Sequence, residues 1–169
     1  MPPRLALLLV TLAASLLVGL GSGPQADPPA ERCHTAGLDL SVLGVDAGAG
    51  NLVGTFQLTN TLDTPCTLFG FPGLELRDDA GNPLPTMVVR NGGYFLNGPG
   101  PTDVYIDAPG SAIFRVHWEQ VPVGDETTCP LAASLAVIPP DEYDPLSVPI
   151  QIRACGNGHL DVTPVLGLG

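Results

Sequence analysis

Three histidines, His34, His117 and His159, are the residues of this chain best suited to acid–base chemistry or metal binding. His117 and Glu119 stand two residues apart, so in a strand their side chains project from the same face. A metal or hydrolytic site there would need at least one further polar group, which the local sequence does not supply. A copper or zinc enzyme on a β-scaffold would also need a denser set of histidines. The sequence therefore predicts no catalytic residue, no metal ligand and no cofactor.

Carboxylates elsewhere in the chain match no known type of site. Glu75 and Glu119 occupy strand faces, where solvated carboxylates are common and do not by themselves indicate a glycosidase. The acidic loop at residues 78–83 lacks the spacing of a calcium loop, and no Gly-x-Ser-x-Gly elbow is present for a serine hydrolase. We therefore expect the protein not to be an enzyme. The alternative hypothesis is an extracytoplasmic metal-handling protein or hydrolase that uses His117 and Glu119, or the acidic loops.

Arg90, Tyr94 and Phe95 form the best candidate binding surface. They lie beside or within residues 91–101, a stretch rich in glycine, asparagine and proline that is expected to be a long exposed loop. Arginine and aromatic side chains on such loops often anchor interfaces. In the alternative, Tyr94 and Phe95 plug the edge of the fold. A second loop at residues 139–145 is also expected to contact a partner.

Alternating apolar and polar residues predict the strands that position these groups. Leu52, Phe56 and Leu58 share one parity in a strand that ends at Asn60, and the preceding strand is expected to bulge at residues 43–45. The clearest alternation places four residues on a buried face, Ala112, Phe114, Val116 and Trp118. Trp118 is thus expected in the core rather than on a sugar-binding surface. The pattern predicts an all-β, antiparallel, immunoglobulin-like β-sandwich of about 8–10 short strands.

The cysteines number four, Cys33, Cys66, Cys129 and Cys155, and predict two disulfides. Four cysteines permit three pairings. Cys33 with Cys66 and Cys129 with Cys155 is favoured, because each bridge would close a loop of moderate length between neighbouring elements. Each would stabilise the fold by roughly 3 to 4 kcal/mol in the chain-entropy account. The wide spacing of single thiols argues against a structural zinc site.

The N-terminal sequence predicts an export signal. Arg4 precedes an apolar run from Leu5 to Leu20 that is short for a membrane span. We expect residues 1–26 to be a signal peptide and lead-in, residues 27–32 a disordered linker, and residues 33–169 a single domain. After processing, no stable membrane span should remain, and the protein is expected to be secreted or located in the cell envelope. In the alternative, the segment stays uncleaved as a weak anchor.

The charge of the chain limits its partners. The formal net charge is −11, and all six basic residues are arginines. Binding to phosphates needs a basic patch that this chain cannot assemble, so nucleic acid is excluded as a partner. A protein or a component of the cell envelope is the expected partner.

Several short motifs, taken in their order along the chain, resemble those of one protein family. They are Gly50-Asn51 before a strand ending in Asn60, Pro65-Cys66-Thr67-Leu68 and Gly70-Phe71-Pro72-Gly73, Pro109-Gly110-Ser111-Ala112, and Cys155-Gly156. Together they are similar to the secreted bacterial domain-of-unknown-function 4232 family, over roughly residues 33–165. The resemblance implies an exported immunoglobulin-like β-sandwich whose activity is not established, and so it supplies no catalytic residues. The predicted function is an exported, non-enzymatic binding or interaction module.

Overall fold

The computed structural model describes residues 30–91, 95–96 and 98–168. The predicted signal peptide at residues 1–26 lies outside these residues. Within them the chain forms β1 (Glu31–Arg32), β2 (Leu38–Gly48), β3 (Asn51–Asn60), β4 (Cys66–Leu68), β5 (Gly73–Arg77), β6 (Met87–Arg90), β7 (Val104–Ile106), β8 (Gly110–Glu119), β9 (Ala132–Ile138), β10 (Leu146–Ile152), β11 (His159–Val162) and β12 (Leu166–Gly167). A 3₁₀ turn spans Thr35–Gly37, and a short helical segment, α1, spans Cys155–Gly158.

The strands form three sheets, and the prediction of an all-β fold is confirmed. The largest sheet has the order β2-β3-β8-β11-β6, with β12 paired to β8. Two smaller sheets have the orders β10-β9-β5 and β1-β4-β7. Most pairs are antiparallel as predicted, but β6 pairs with β11 and β1 pairs with β4 in parallel. Ten of the described strands are longer than two residues, so the predicted number is correct once the two shortest are set aside.

Strands β3 and β8 pair without a break from Asn51 opposite Glu119 to Asn60 opposite Gly110. Because side chains alternate along a strand, this register gives both strands one core face and one outer face. On the core face, the rings of Phe56 and Phe114 stack with their centres 5.2 Å apart. Trp118, on the same face, is only 1% exposed, which confirms its assignment to the core.

One hydrophobic core joins the three sheets. Phe114 of β8, Leu68 of β4 and Leu135 of β9 belong to the same buried cluster, and each comes from a different sheet. Burying a side chain of this size stabilises a fold by roughly 2 to 3 kcal/mol relative to leaving it in water. The sheets therefore pack as layers over a common core, as a sandwich requires.

The long strand β2 is the edge of the largest sheet. Its register with β3 shifts between Val42 and Gly44, which confirms the bulge predicted at residues 43–45. The disordered linker predicted at residues 27–32 does not include residues 31 and 32. These two residues form β1, which pairs with Cys66 and Thr67 of β4. Among the described residues, no helix is long and apolar enough to cross a membrane.

Both predicted disulfides are present. Cys33 bonds to Cys66 with their Cα atoms 4.9 Å apart, and Cys129 bonds to Cys155 with theirs 5.0 Å apart. The first bridge ties the segment after β1 to the start of β4. The second ties the loop after β8 to α1, immediately before β11.

Asn60 closes the end of β3 with its side chain. This residue is 1% exposed, and its Nδ2 donates to the carbonyl oxygens of Thr64 at 2.8 Å and Asp107 at 3.2 Å. Its Oδ1 accepts a hydrogen bond from the Leu62 amide at 3.1 Å. One amide therefore holds the turn before Cys66 and the turn before β8 together.

We expect Asn60→Ala to lower the free energy of unfolding by about 3 kcal/mol, because three hydrogen bonds are lost at about 1 kcal/mol each. The thermal midpoint should fall by roughly 10 °C. Asn82→Ala is the control, since Asn82 is exposed in the turn after β5. Equal small effects of the two substitutions, measured by thermal unfolding, would contradict the role given to Asn60.

Candidate functional site

A cavity of about 280 Å³ lies where three loops of the sandwich meet. It is lined by Phe69, Gly70, Phe71, Arg90, Pro101, Pro140 and Asp141. These residues come from the corner after β4, the end of β6, and the two loops that were predicted to contact a partner. The fold therefore brings both predicted contact loops to one cavity.

Arg90 supplies the positive charge of this cavity, which we call the Arg90 cavity. It is the last residue of β6 and pairs with Val162, whose carbonyl oxygen also accepts a hydrogen bond from the Asn91 amide at 2.9 Å. The guanidinium lies 5.9 Å from the centre of the Phe71 ring, within the range of a cation–π contact. It makes no ion pair or side-chain hydrogen bond with any residue that the structure describes. Its five donors are thus available to a ligand.

The corner Phe69-Gly70-Phe71 forms part of the lining of the Arg90 cavity. Gly70 has a φ of 113°, a conformation that other residues adopt only with strain. Its carbonyl oxygen accepts a hydrogen bond from the Val165 amide at 2.9 Å, which ties the corner to the chain after β11. Phe69 is 51% exposed. The corner therefore holds an aromatic surface open to solvent.

Glu142 anchors the loop that contributes Pro140 and Asp141 to the lining. The Thr35 amide and Oγ1 donate to its Oε2 at 3.0 and 3.1 Å. Its Oε1 lies 3.0 Å from Nδ1 of His34 and 3.2 Å from the guanidinium of Arg32. Hydrogen bonding, first of all from the Thr35 amide, lowers the pKa of Glu142 below its ordinary value. Because these residues flank Cys33, the Cys33–Cys66 disulfide connects this anchor to β4.

A second cluster lies on the outer face of the largest sheet, where β8 and β11 pair. Nδ1 of His117 donates to Oδ2 of Asp161 at 2.9 Å, and Nε2 of His159 donates to Oδ1 of the same carboxylate at 3.0 Å. His117 and Asp161 are each 4% exposed. One buried carboxylate therefore orients two histidine rings.

His117 has two further contacts besides the one with Asp161. Its Nε2 lies 3.0 Å from Oδ1 of Asn51, and the Phe95 ring stacks on it with centres 4.6 Å apart. The sequence placed His117 on a polar strand face and paired it with no acid, and the structure corrects this: the residue is buried and its partner, Asp161, lies 44 residues away. The pairing of His117 with Asp161 follows from the register of β8 with β11, which the sequence alone does not reveal.

A smaller cavity of about 150 Å³ adjoins the histidine cluster. Its lining is His117, Glu119, Val123, Cys155, Gly156, His159 and Asp161. The turn before His159 is held by Glu126, whose carboxylate accepts hydrogen bonds from the amides of Gly156 at 2.8 Å and Asn157 at 3.2 Å. These bonds, the one from Gly156 first, lower the pKa of Glu126.

Residues 33–166 match a family described as Domain of unknown function (DUF4232). The chain belongs to this family. No curated protein and no solved structure matches the chain. The resemblance noted in the sequence is thereby confirmed for the family.

The three predicted contact residues of this DUF4232 domain fall in different places. Arg90 lines the Arg90 cavity. Phe95 is 46% exposed and stacks on His117, so it belongs to the histidine cluster instead. Tyr94 lies outside the described residues. Asp161 was missed, because a single aspartate in an apolar strand carries no signal for a partner on another strand.

Glu126, Cys129 and Cys155 are the one group of three or more potential ligands that the described residues bring within metal-binding distance of one another. The two sulfurs are bonded to each other and so are not thiolate ligands. In the acidic loop after β5, Asp78 is occupied by the turn, since its oxygens accept hydrogen bonds from Ala80 and Asn82. Neither group offers a ready set of metal ligands.

Glu142 is expected to make stability depend on pH. The pKa of its carboxyl is below 4.5 in the folded protein and returns to that value on unfolding, so the contribution is full above about pH 4.5 and is lost as pH falls through the lowered pKa. Glu142→Gln should therefore be less stable than the parent at about pH 7, and the difference should shrink towards about pH 2. A difference in thermal midpoint that stays constant across this range would contradict the assignment.

Proposed function

We propose that this DUF4232 domain is an exported, non-enzymatic binding module whose binding site is the Arg90 cavity. The ligand is a carboxylate-bearing group of a partner protein or of a cell-envelope component, with an apolar portion beside the carboxylate. The observation that supports this proposal is the guanidinium of Arg90, which lies over Phe71 at the rim of a cavity and has no charged partner among the described residues.

The chemistry of the cavity favours a carboxylate over a more highly charged anion. An arginine fork matches a carboxylate in a bidentate arrangement. Asp141 lines the same cavity, and the chain carries a net charge of −11, so a phosphate dianion would meet more repulsion than a single carboxylate. Phe69, Pro101 and Pro140 offer apolar walls for the rest of the ligand.

The architecture around the cavity supports binding rather than catalysis. Among the described residues that line it, Arg90 and Asp141 are the ionisable groups, and neither stands beside a nucleophile. The Glu142 anchor and the Cys33–Cys66 disulfide hold the walls in position before a ligand arrives. Such preorganisation increases affinity because less freedom is lost on binding.

Export is the location that agrees best with these features. Two disulfides, with no free cysteine among the described residues, suit an oxidising compartment. The apolar N-terminal run of the sequence supports the same location. A binding module in the cell envelope or outside the cell would meet free carboxylates of peptides and of envelope polymers.

The test is a thermal-unfolding screen with short apolar peptides that end in a free carboxylate, each paired with its C-terminal amide. We expect free acids to stabilise the protein, by about 2.7 kcal/mol at 100 times the dissociation constant, and the amides to have little effect. Arg90→Gln should weaken binding roughly 10- to 100-fold, the worth of a charge-assisted hydrogen-bond pair.

Arg115→Gln is the matched control, because Arg115 is also exposed, and its side chain makes no ion pair with the described residues. It removes the same charge and should leave binding unchanged. Equal binding of acids and amides would overturn the proposal, because the carboxylate would then not be recognised. Equal losses in the two variants would also overturn it, because a general attraction to positive charge would then explain the binding.

A further inference from the structure

We propose that His159 and Glu119 form a binding site for a divalent late transition metal, Cu²⁺ or Zn²⁺, at the 150 Å³ cavity on the outer sheet face. This site is separate from the Arg90 cavity, with which it shares no lining residue. The inference depends on three features: the orientation of His159, the placement of Glu119, and the size and charge of the cavity.

Asp161 determines which nitrogen of His159 is available. Nε2 donates to Oδ1 of Asp161 at 3.0 Å, so in the neutral ring Nδ1 carries the lone pair. Nδ1 makes no hydrogen bond with the described residues, and the side chain is 39% exposed. Histidines that bind metals usually donate their other N–H group to a carboxylate in this way, which fixes the ring and makes the free nitrogen more basic.

Glu119 and His159 lie at the same end of the β8–β11 pair. The two strands pair in antiparallel at Asp161 opposite His117, and from that pair the chain runs towards His159 on β11 and towards Glu119 on β8. Both residues line the cavity. The Glu119 carboxylate is exposed and makes no ion pair or side-chain hydrogen bond with the described residues. A free imidazole nitrogen and a free carboxylate thus share one small space.

His117 is a supporting residue here rather than a ligand. Both of its nitrogens are occupied, by Asp161 and by Asn51. It holds the second oxygen of Asp161, and so keeps the carboxylate in the position that orients His159. Asn51, His117 and Asp161 therefore form a chain of contacts that is buried at His117 and Asp161 and ends at the partly exposed ring of His159.

The cavity suits a hydrated cation better than an organic substrate. At about 150 Å³ it holds an ion with a few waters, whereas a drug-sized ligand needs about 300 Å³ or more. One nitrogen and one carboxylate oxygen from the protein leave the other coordination positions to water, with one protein ligand fewer than the three of an open zinc site. Imidazole with carboxylate suits copper and zinc, and the net charge of −11 raises the local concentration of cations.

The experiment titrates the full, oxidised chain, freed of metal, with Cu²⁺ and with Zn²⁺ by calorimetry, and records the copper electron paramagnetic resonance spectrum. We expect one equivalent of each metal, with a copper signal split by a single imidazole nitrogen. His159→Gln and Glu119→Gln should each weaken binding by at least about tenfold. Asp161→Asn should weaken it roughly 10- to 100-fold and alter the copper signal, because the ring loses its orienting partner.

His34→Gln is the matched control. His34 is an exposed histidine, 60% exposed by its side chain, that also contacts a carboxylate, Glu142. It should bind metal as the parent does. The proposal is overturned if His159→Gln, folded by circular dichroism, binds copper and zinc with the parent's affinity, or if binding is lost in His34→Gln instead. It is also overturned if neither metal binds above the level of nonspecific surface association.

Discussion

The pairing of β3 with β8 is the interaction on which the rest of the structure depends. Its unbroken register puts Phe56 against Phe114 on the core face and places Asn51 and His117 on the outer face. The core that joins the three sheets is built on the first face, and the buried polar cluster on the second. A slip of one residue would exchange the two faces, so the same constraint preserves both the core and the histidine cluster.

The two cavities occupy different parts of this framework and are held by different means. The walls of the Arg90 cavity are loops, and these are fixed by the Glu142 anchor, the Gly70 corner and the Cys33–Cys66 disulfide. The cavity beside His159 is built on paired strands, with the Cys129–Cys155 disulfide and Glu126 holding the turn at its edge. Each disulfide therefore stabilises the surroundings of one cavity.

Local patterns predicted what depends on neighbours in sequence. Alternation located the strands, turn residues located the loops, and cysteine spacing favoured the observed pairing. The contacts between distant strands could not be predicted, because they depend on register: the pairing of His117 with Asp161 joins residues from β8 and β11, and nothing near either residue indicates it. Arg90 was identified from its type, but the cavity around it requires loops far apart in the chain to meet.

The central claim is that the loops around Arg90 form a carboxylate-binding site. The most direct test is an NMR titration of the isotope-labelled, oxidised protein with N-acetyl-phenylalanine, whose single carboxylate stands beside an apolar ring. We expect shifts confined to the backbone amides of Phe69, Gly70, Phe71 and Asp141 and to the side-chain Nε–H of Arg90. Shifts centred on His117 and His159, or no shift at millimolar ligand, would contradict the account.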